Sequence, residues 1–279
     1  MHPTLFQIGP AAIHLGSRVL HIPAIMVHSY GTLLMLGFVG GMLLTAREAK
    51  RLKLSSELAV DLGLWVLVGG IVGARALFVA LDWSDYAAHP AEALYVWQTG
   101  GLSFHGGLLG GVVAALLLAR RRGVRFMALA DMAAPGLALG YGIARFGCLL
   151  NGCCFGVPTS LPWGVRFPLF PDSSVLTEPS HPTQIYSALG SFVILAVLLR
   201  IRSRLPAQGQ LFLLYLALYS VLRAGVEVLR KGATAQILFD GVTQAQAVSA
   251  IIFAAAVIGI FRLARRGRTK SPEGGRVTA

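Results

Sequence analysis

Apolar segments recur seven times along the sequence, and they limit the possible fold more than any other feature. A run of about 20 apolar residues crosses a hydrocarbon core of roughly 30 Å as a helix. Because a backbone in lipid must satisfy its own hydrogen bonds, we expect each segment to be helical. The expected spans are 24–45, 59–81, 105–119, 127–149, 183–200, 209–229 and 245–263, of which the third is short and rich in glycine.

The sequence therefore predicts an all-α integral membrane protein with about seven transmembrane helices. Residues 1–265 are expected to form a single polytopic membrane domain, and residues 266–279 are expected to form a disordered polar tail. The composition agrees with this class, since 55% of the residues are hydrophobic and only 13% are charged. The first twenty residues lack the continuous apolar stretch of a cleavable signal peptide.

The basic residues are distributed unevenly among the loops. Lys and Arg cluster after spans one, three, five and seven, whereas loops 82–104, 150–182 and 230–244 contain few of them. Basic loops of membrane proteins face the cytoplasm, so we expect an outward N-terminus and a cytoplasmic C-terminus. Loops 82–104 and 150–182 should then form a small outward-facing cap. This topology explains the net charge of +12, and neither a nucleic-acid partner nor a cofactor is expected.

Three arginines lie inside apolar spans, namely Arg75, Arg145 and Arg223. An arginine at the centre of a membrane helix costs roughly 2.5–3.5 kcal/mol, so such residues are usually paired or functional. Each of the three lies near the outward end of its span, at roughly 10 Å or less from the outer surface for a rise of about 1.5 Å per residue. The alternative is that these side chains reach the interface by snorkelling and do nothing more.

Other polar residues are expected at the same depth, near the outer ends of separate spans. Arginine presents a planar fork of donors that suits a phosphate group. We therefore predict a site for a phospholipid headgroup in the outer leaflet. Gly106 and Gly107, next to His105, allow close approach either of a ligand or of another helix. The other polar residues at this depth are His28, Tyr30, Asn151, His181 and Glu227. Glu227 lies four residues after Arg223 on the same helix face, so an ion pair between the two is expected.

All three cysteines of the chain fall within seven residues, at Cys148, Cys153 and Cys154. Their spacing differs from the paired C-x₂-C pattern of zinc sites, so no metal site is expected. Cysteine also serves as a small apolar packing residue, and a vicinal pair can form a disulfide in an oxidising compartment. Packing or an incidental disulfide is favoured, and a redox role, direct participation in the site and a metal site with His181 as a fourth ligand remain as alternatives.

Four motifs, in this order, resemble those of the prolipoprotein diacylglyceryl transferase family of bacterial inner membranes. They are "SFHGGLLGG" at 103–111, "GIARFGCLLNGCCFG" at 142–156, "HPTQIY" at 181–186 and "YSVLRAGVEVLR" at 219–230. The resemblance extends from about Gly9 to Arg265. It implies a seven-span enzyme that moves the diacylglyceryl group of phosphatidylglycerol to the lipobox cysteine thiol of a preprolipoprotein, with release of glycerol-1-phosphate.

The resemblance also assigns roles to residues of this sequence. His105, Tyr30, Arg145 and Arg223 would be catalytic, with His105 as the base for the incoming thiol and the arginines on the phosphate. The substrate would be held by Arg145, Asn151, Gly156, Arg223, Glu227, Gly106 and Gly107.

This chain departs from the family pattern at three positions. Cys148 stands where many members have asparagine, Cys153 where they have an acidic residue, and Ser187 where they have glutamate. A paralogue with altered lipid transfer, a thiol-redox membrane protein built on the cysteines, and an anion transporter are the alternative functions. A transporter would need polar groups through the full membrane depth, and the inner halves of these spans have few.

Overall fold

The computed structural model describes residues 4–9, 11–15, 18–22, 25–87, 90–94, 100–169, 174–205, 207–230, 237–239 and 241–268. Seven helices in this part of the chain are long and apolar enough to cross a membrane, which confirms the seven predicted spans. We number the helices α1 Ser29–Arg51, α2 Ser56–Leu81, α3 Trp83–Tyr86, α4 Phe104–Arg121, α5 Phe126–Asn151, α6 Thr183–Ile201, α7 Gln210–Val228 and α8 Gln244–Arg268. All except the single-turn α3 are membrane-spanning candidates.

Short strands precede the first helix, and the sequence did not predict them. β1 (Thr4–Ile8) pairs antiparallel with β4 (Ile25–His28), and β2 (Ala11–Leu15) pairs antiparallel with β3 (Arg18–Ile22). The first span therefore starts at Ser29, because the backbone of the preceding four residues pairs with another strand. The prediction that this span starts at residue 24, with His28 inside it, was wrong for this reason.

Two further short strands, β5 (Ile237–Phe239) and β6 (Val242–Thr243), pair antiparallel just before α8. α8 itself extends to Arg268. The remainder of the tail that we expect to be disordered lies outside the described residues.

The chain divides into two compact units, which are described separately. The first unit comprises the described residues of Met1–Gly41 and Ala134–Ala279, and the second unit is Met42–Ala133. The second unit has a core that includes Leu58, Leu118 and Met132.

Glycine lets helices α2 and α4 touch backbone to backbone in the second unit. A Cβ atom on Gly110 would lie 2.1 Å from the Gly69 carbonyl oxygen, and one on Gly106 would lie 2.3 Å from the Gly73 carbonyl oxygen. Real Cβ atoms never approach a carbonyl so closely. Glycine at these positions is therefore required by helix packing, one of the two uses that the sequence left open.

The first unit packs α5, α6 and α7 around a core that contains Ala138, Leu198 and Leu211. The hydroxyl of Ser191 on α6 donates to the Ala138 carbonyl oxygen at 2.8 Å, so a polar side chain also joins two of these helices. α1 approaches α5 through another glycine contact, at Gly37 and Gly140. These contacts fix the relative positions of the helix ends that carry the site.

The 150–182 segment is folded where the structure describes it. Antiparallel bridges join Pro158 and Val165 to Ser180, and Phe167 is fully buried. Its ring stacks on Phe155 with the ring centroids 4.9 Å apart. The predicted cap is thus compact in this segment, and its outward orientation remains a prediction.

Candidate active site

Arg145 lies in the last two turns of α5 and is half-buried. Its guanidinium carbon lies 4.5 Å from the centre of the Tyr141 ring, one helical turn earlier. Among the described residues, no carbonyl or carboxylate accepts a hydrogen bond from this guanidinium. An arginine held by its face leaves its edge, where the N–H donors are, available to a ligand.

Arg145 is supported by an aromatic cluster that was not predicted from the sequence. The rings of Tyr141 and Tyr219 meet edge to face at 5.2 Å, and Tyr219 stacks on Tyr215 at 5.9 Å. Tyr219 also interacts electrostatically with Arg145. The i, i+4 spacing of Tyr141 and Arg145 was a readable signal, since such residues share a helix face.

Tyr30 lies in the first turn of α1 against the end of α5. A Cβ atom on Gly147 would be 3.3 Å from the Cα, Cδ2 and carbonyl oxygen of Tyr30, so the absence of a side chain there lets the two helices meet. Tyr30 interacts electrostatically with Arg145 and is 41% exposed. The structure therefore brings together Tyr30 and Arg145, which the sequence placed at one depth but on separate helices.

Arg223 and Glu227 form the predicted ion pair on α7, through Nη1 of the arginine and Oε2 of the glutamate. The side chain of Glu227 is completely buried, whereas that of Arg223 is 15% exposed. The other carboxylate oxygen, Oε1, has no hydrogen-bond partner among the described residues. A buried carboxylate of this kind holds its arginine in place, because separating the pair would leave a charge without compensation.

Gly156 joins the 150–182 segment to the end of α7. Its N–H donates to the His181 carbonyl oxygen at 2.8 Å, and the next N–H, of Val157, donates to the Leu229 carbonyl oxygen at 2.9 Å. A Cβ atom on Gly156 would lie 2.3 Å from that same Leu229 oxygen. Glycine is thus needed here for close contact between two backbone segments.

The same junction brings Arg230 to the site, since Gly156 and Arg230 form an antiparallel bridge. From the sequence alone, Arg230 was expected only to be part of the outward loop 230–244. Its side chain interacts electrostatically with Cys154, and its buried Nε has no hydrogen-bond partner among the described residues. Arg230 is thus a cation near Cys154 that sequence spacing did not identify.

The three cysteines converge although their spacing is irregular. Their Sγ atoms all lie within 4.8 Å of one another, and none is in a disulfide. Cys148 is buried, whereas Cys153 and Cys154 are half-buried. Asn151, the last residue of α5, is close enough for its side chain to hydrogen-bond with Cys153. The predicted residues Tyr30, Arg145 and Asn151 therefore surround a cluster of thiols.

The surroundings of Cys153 and Cys154 shift the pKa values of the two thiols in opposite directions. Hydrogen bonds from the Cys148 and Cys153 thiols lower the pKa of Cys154, and the positive charges of Arg230 and Arg145 lower it further. For Cys153, the hydrogen bond with Cys148 lowers the pKa, but the hydrogen bond with Cys154 and burial outweigh it and leave the pKa raised. Cys154 is therefore the more acidic of the two thiols of the loop.

His105 belongs to the second unit, in the first turn of α4. Ser103 caps this helix by accepting a hydrogen bond from the Gly106 N–H at 3.4 Å. The imidazole is exposed and meets the Phe104 ring edge to face at 5.7 Å. Gly106 faces α2, as described above, whereas a Cβ atom on Gly107 would make only ordinary contacts at 3.5 Å. An exposed imidazole at a helix start is accessible to a substrate group.

Arg75, also in the second unit, has a different environment from Arg145. Its Nε donates to the Ala93 carbonyl oxygen at 2.7 Å, and its Nη2 donates to that of Glu92 at 3.0 Å. Its Nη1 donates to the Gly100 and Gly101 carbonyl oxygens at 2.7 and 3.1 Å. These backbone groups occupy four of the five N–H donors. Among the three arginines inside apolar spans, Arg75 is therefore paired within the protein, where it holds the segment that precedes α4.

Comparison with known proteins gives a consistent result over nearly the whole chain. The family model described as Prolipoprotein diacylglyceryl transferase matches residues 17–262. Three similar proteins bear the name phosphatidylglycerol–prolipoprotein diacylglyceryl transferase. That of Nostoc sp. is 36% identical over 261 residues and 91% of each chain. That of Synechococcus elongatus is 35% identical over 92% of this chain and 86% of its own.

The third, from Bacillus licheniformis, is 34% identical over 95% of this chain and 94% of its own length. The matched region includes all seven apolar helices except the last few residues of α8. With seven helices able to span a membrane and a family match over most of its length, this multi-pass membrane protein belongs to the prolipoprotein diacylglyceryl transferase family.

Proposed function

We propose that this chain transfers the diacylglyceryl group of phosphatidylglycerol to the lipobox cysteine thiol of a preprolipoprotein, the first step of bacterial lipoprotein maturation. A carbon–sulfur bond forms, the bond between the glyceryl carbon and the phosphate oxygen breaks, and glycerol-1-phosphate leaves. The observation that carries the proposal is Arg145, whose guanidinium lies on an aromatic ring and donates no hydrogen bond to another described residue. The names of the relatives support the same reaction.

Arginine suits the charge change of this reaction. The phosphodiester of the lipid carries one negative charge, and the phosphomonoester that leaves gains a second. A guanidinium that is already in place stabilises this developing charge without reorganisation, particularly where water is scarce. Arg145 is positioned by Tyr141, and Arg223 is positioned by Glu227, so both cations are held before the lipid binds.

The incoming thiol must lose its proton, because the thiolate is the nucleophile. His105 is our candidate base, because its imidazole is exposed at the start of α4 and an imidazole nitrogen can accept a proton. Tyr30 and Asn151 orient the headgroup by hydrogen bonds, and Gly107 leaves room beside the histidine. The substrate protein supplies the reacting thiol, so none of the chain's own cysteines takes part.

The distribution of basic residues supports a topology for this reaction. Arg120 and Arg121 end α4, and Lys50 and Arg51 end α1. With these ends in the cytoplasm, the N-terminus is periplasmic, the C-terminus is cytoplasmic, and the ends of α5 and α7 that carry Arg145 and Arg223 face outward. We place the protein in the bacterial inner membrane, with transfer at its periplasmic side.

The direct test is mass spectrometry of a lipobox peptide that has been incubated with purified protein and phosphatidylglycerol. A diacylglyceryl mass increment on the cysteine is expected, and it should be absent when the peptide carries Ser in place of Cys. A well-folded preparation that gives no increment would rule out the proposed reaction. The variant with Cys148, Cys153 and Cys154 all replaced by Ser should keep most of the activity, whereas a thiol-redox enzyme would lose all of it.

The role of His105 needs its own pair of variants. His105→Ala and His105→Gln should both lower the transfer rate by about 10²–10⁴, the usual contribution of a general base. Leu108→Ala is the matched control, because Leu108 is exposed one turn later on the same helix. Near-normal rates in both histidine variants would mean that His105 is not the base and that the thiol loses its proton to water.

A further inference from the structure

The thiol cluster at the end of α5 is the feature that the proposed reaction leaves unused. It contains every cysteine of the chain, and the transfer reaction needs none of them. The three sulfur atoms nevertheless lie within 4.8 Å of one another and remain free. Sulfur is a soft donor that selects thiophilic cations over Mg²⁺ or Ca²⁺.

We propose that Cys148, Cys153 and Cys154 form a three-sulfur site for a soft d¹⁰ cation of the Cu(I), Zn(II) or Cd(II) type. The distances fit such an ion. Metal–sulfur bonds of about 2.3 Å around one centre place the sulfur atoms about 4 Å apart. The cluster, at 4.8 Å or less, needs to contract by less than about 1 Å, which rotation of half-buried side chains supplies.

The backbone of the loop after α5 already has the conformation that brings the three sulfur atoms together. Cys154 has a φ angle of +65° and follows Gly152 at +74°, so the chain turns back on itself directly after α5. The Cys153 carbonyl oxygen accepts a hydrogen bond from Gln184 Nε2, and the Cys154 carbonyl oxygen accepts one from Thr183 Oγ1, both at 2.6 Å. Two residues of α6 thus hold the loop, so little backbone ordering is needed when an ion binds.

The surrounding charges favour the filled site. Three thiolates and a divalent cation carry a net charge of −1, or −2 with a monovalent cation. Arg145 and Arg230 both interact electrostatically with Cys154, so they balance the charge of the assembly. The protons of the three thiols pass to the buffer as the ion binds. An ion entering from outside meets Cys153 and Cys154 first, since these are half-buried, and then Cys148.

Occupancy has a consequence that rests on the proposed function. The anionic assembly beside Arg145 competes with the phosphate of the lipid for the same guanidinium. An ion bound to the thiols should therefore inhibit diacylglyceryl transfer, and a chelator should restore it. The ion has no part in the reaction itself, so metal-free protein keeps full activity.

The test uses Cd²⁺ as the probe and the full-length reduced protein in detergent. One equivalent of Cd²⁺ should produce a sulfur-to-metal charge-transfer band in the ultraviolet, and it should protect all three thiols from maleimide, counted by mass spectrometry. Each single Cys→Ser variant should weaken Cd²⁺ binding by a factor of about 10–100 or more. The variant without cysteine should show no band, which controls for histidine ligands.

Several results would overturn the proposal. One is a reduced wild-type protein with three titratable thiols but neither a band nor protection at one equivalent. Another is an equal band in the variant without cysteine. A disulfide that forms in air and is not prevented by prior addition of Cd²⁺ would show a redox pair instead. Because these readouts use binding alone, they are independent of whether the protein transfers lipid.

Discussion

Arg75 and Arg145 look alike in the sequence but lie in different environments in the structure. Both are within about six residues of the end of a long apolar helix. Arg75 is 7% exposed and donates to four backbone carbonyl groups, whereas Arg145 lies over the Tyr141 ring and has no such acceptor among the described residues. The first arginine is used by the fold, and the second is available to a ligand.

This difference shows what membrane depth can and cannot reveal. The cost of placing a guanidinium in a membrane helix predicts that it will have a partner. It does not say whether that partner is the protein or a substrate. The answer depends on neighbouring segments: Glu92, Ala93, Gly100 and Gly101 supply carbonyl groups to Arg75, whereas the loop after α5 presents thiols near Arg145.

The largest effect is expected from replacing Arg145. Arg145→Lys keeps the charge but loses the planar fork of donors, so the initial rate of lipid transfer to a lipobox peptide should fall by about 10²–10³. Arg200→Ala is the control and should keep the normal rate. Arg200 lies in the last turn of α6, at the end of that helix away from Thr183. A loss of less than about threefold in Arg145→Lys would contradict the assignment of Arg145 to the phosphate.

Replacing Arg75 should affect stability first. Arg75→Lys leaves several of the four carbonyl groups without a charged donor, and a hydrogen bond to a charged group contributes about 1.5–3 kcal/mol. We expect a lower midpoint of thermal unfolding in detergent, whereas Arg145→Lys should unfold near the wild-type temperature. Unchanged unfolding of Arg75→Lys, combined with a rate loss as large as that of Arg145→Lys, would mean that both arginines bind the lipid.

A smaller effect is expected at Tyr141, whose ring supports the face of the Arg145 guanidinium. Tyr141→Leu removes a cation–π contact of about 0.5–2 kcal/mol and should lower the transfer rate by a factor of about 2–30. Tyr141→Phe keeps the ring and should lose less than Tyr141→Leu. Equal losses in the two variants would show that the hydroxyl group, and not the ring face, matters.

The smallest effect concerns the electrostatic influence of Arg145 on Cys154. Its cation lowers the pKa of Cys154, so Arg145→Leu should raise that pKa. The midpoint of the pH profile for alkylation of Cys154 should then move to higher pH, by less than about one pKa unit. Arg200→Leu should leave this midpoint unchanged. An unchanged midpoint in Arg145→Leu would mean that its charge does not reach the thiol.

Some features of this molecule follow from local patterns that the sequence displays. Hydrophobic runs predicted seven helices because helix formation in lipid depends on length and polarity. The i, i+4 spacing of Arg223 and Glu227 predicted their ion pair, since these positions share a helix face. Both predictions depend only on residues that are close in the chain.

The features that the sequence did not predict depend on contacts between distant segments. Ile25–His28 is apolar enough to continue a membrane span, and only its pairing with Thr4–Ile8 makes it a strand. The convergence of the cysteines depends on the turn at Gly152 and Cys154 and on hydrogen bonds from α6. The spacing of residues along the chain does not show such contacts, so the convergence of the cysteines could not be predicted.

The hydrogen bonds of Arg75 also bear on His105, which lies elsewhere in the same unit. Arg75 donates hydrogen bonds to the carbonyl oxygens of Gly100 and Gly101. The carbonyl oxygen of the neighbouring Ala74 accepts a hydrogen bond from the Ser103 N–H at 3.0 Å. His105 follows only two residues later. The chain is thus hydrogen-bonded to α2 immediately before the imidazole, and the contacts of Arg75 help to fix the position of the side chain that we propose as the base.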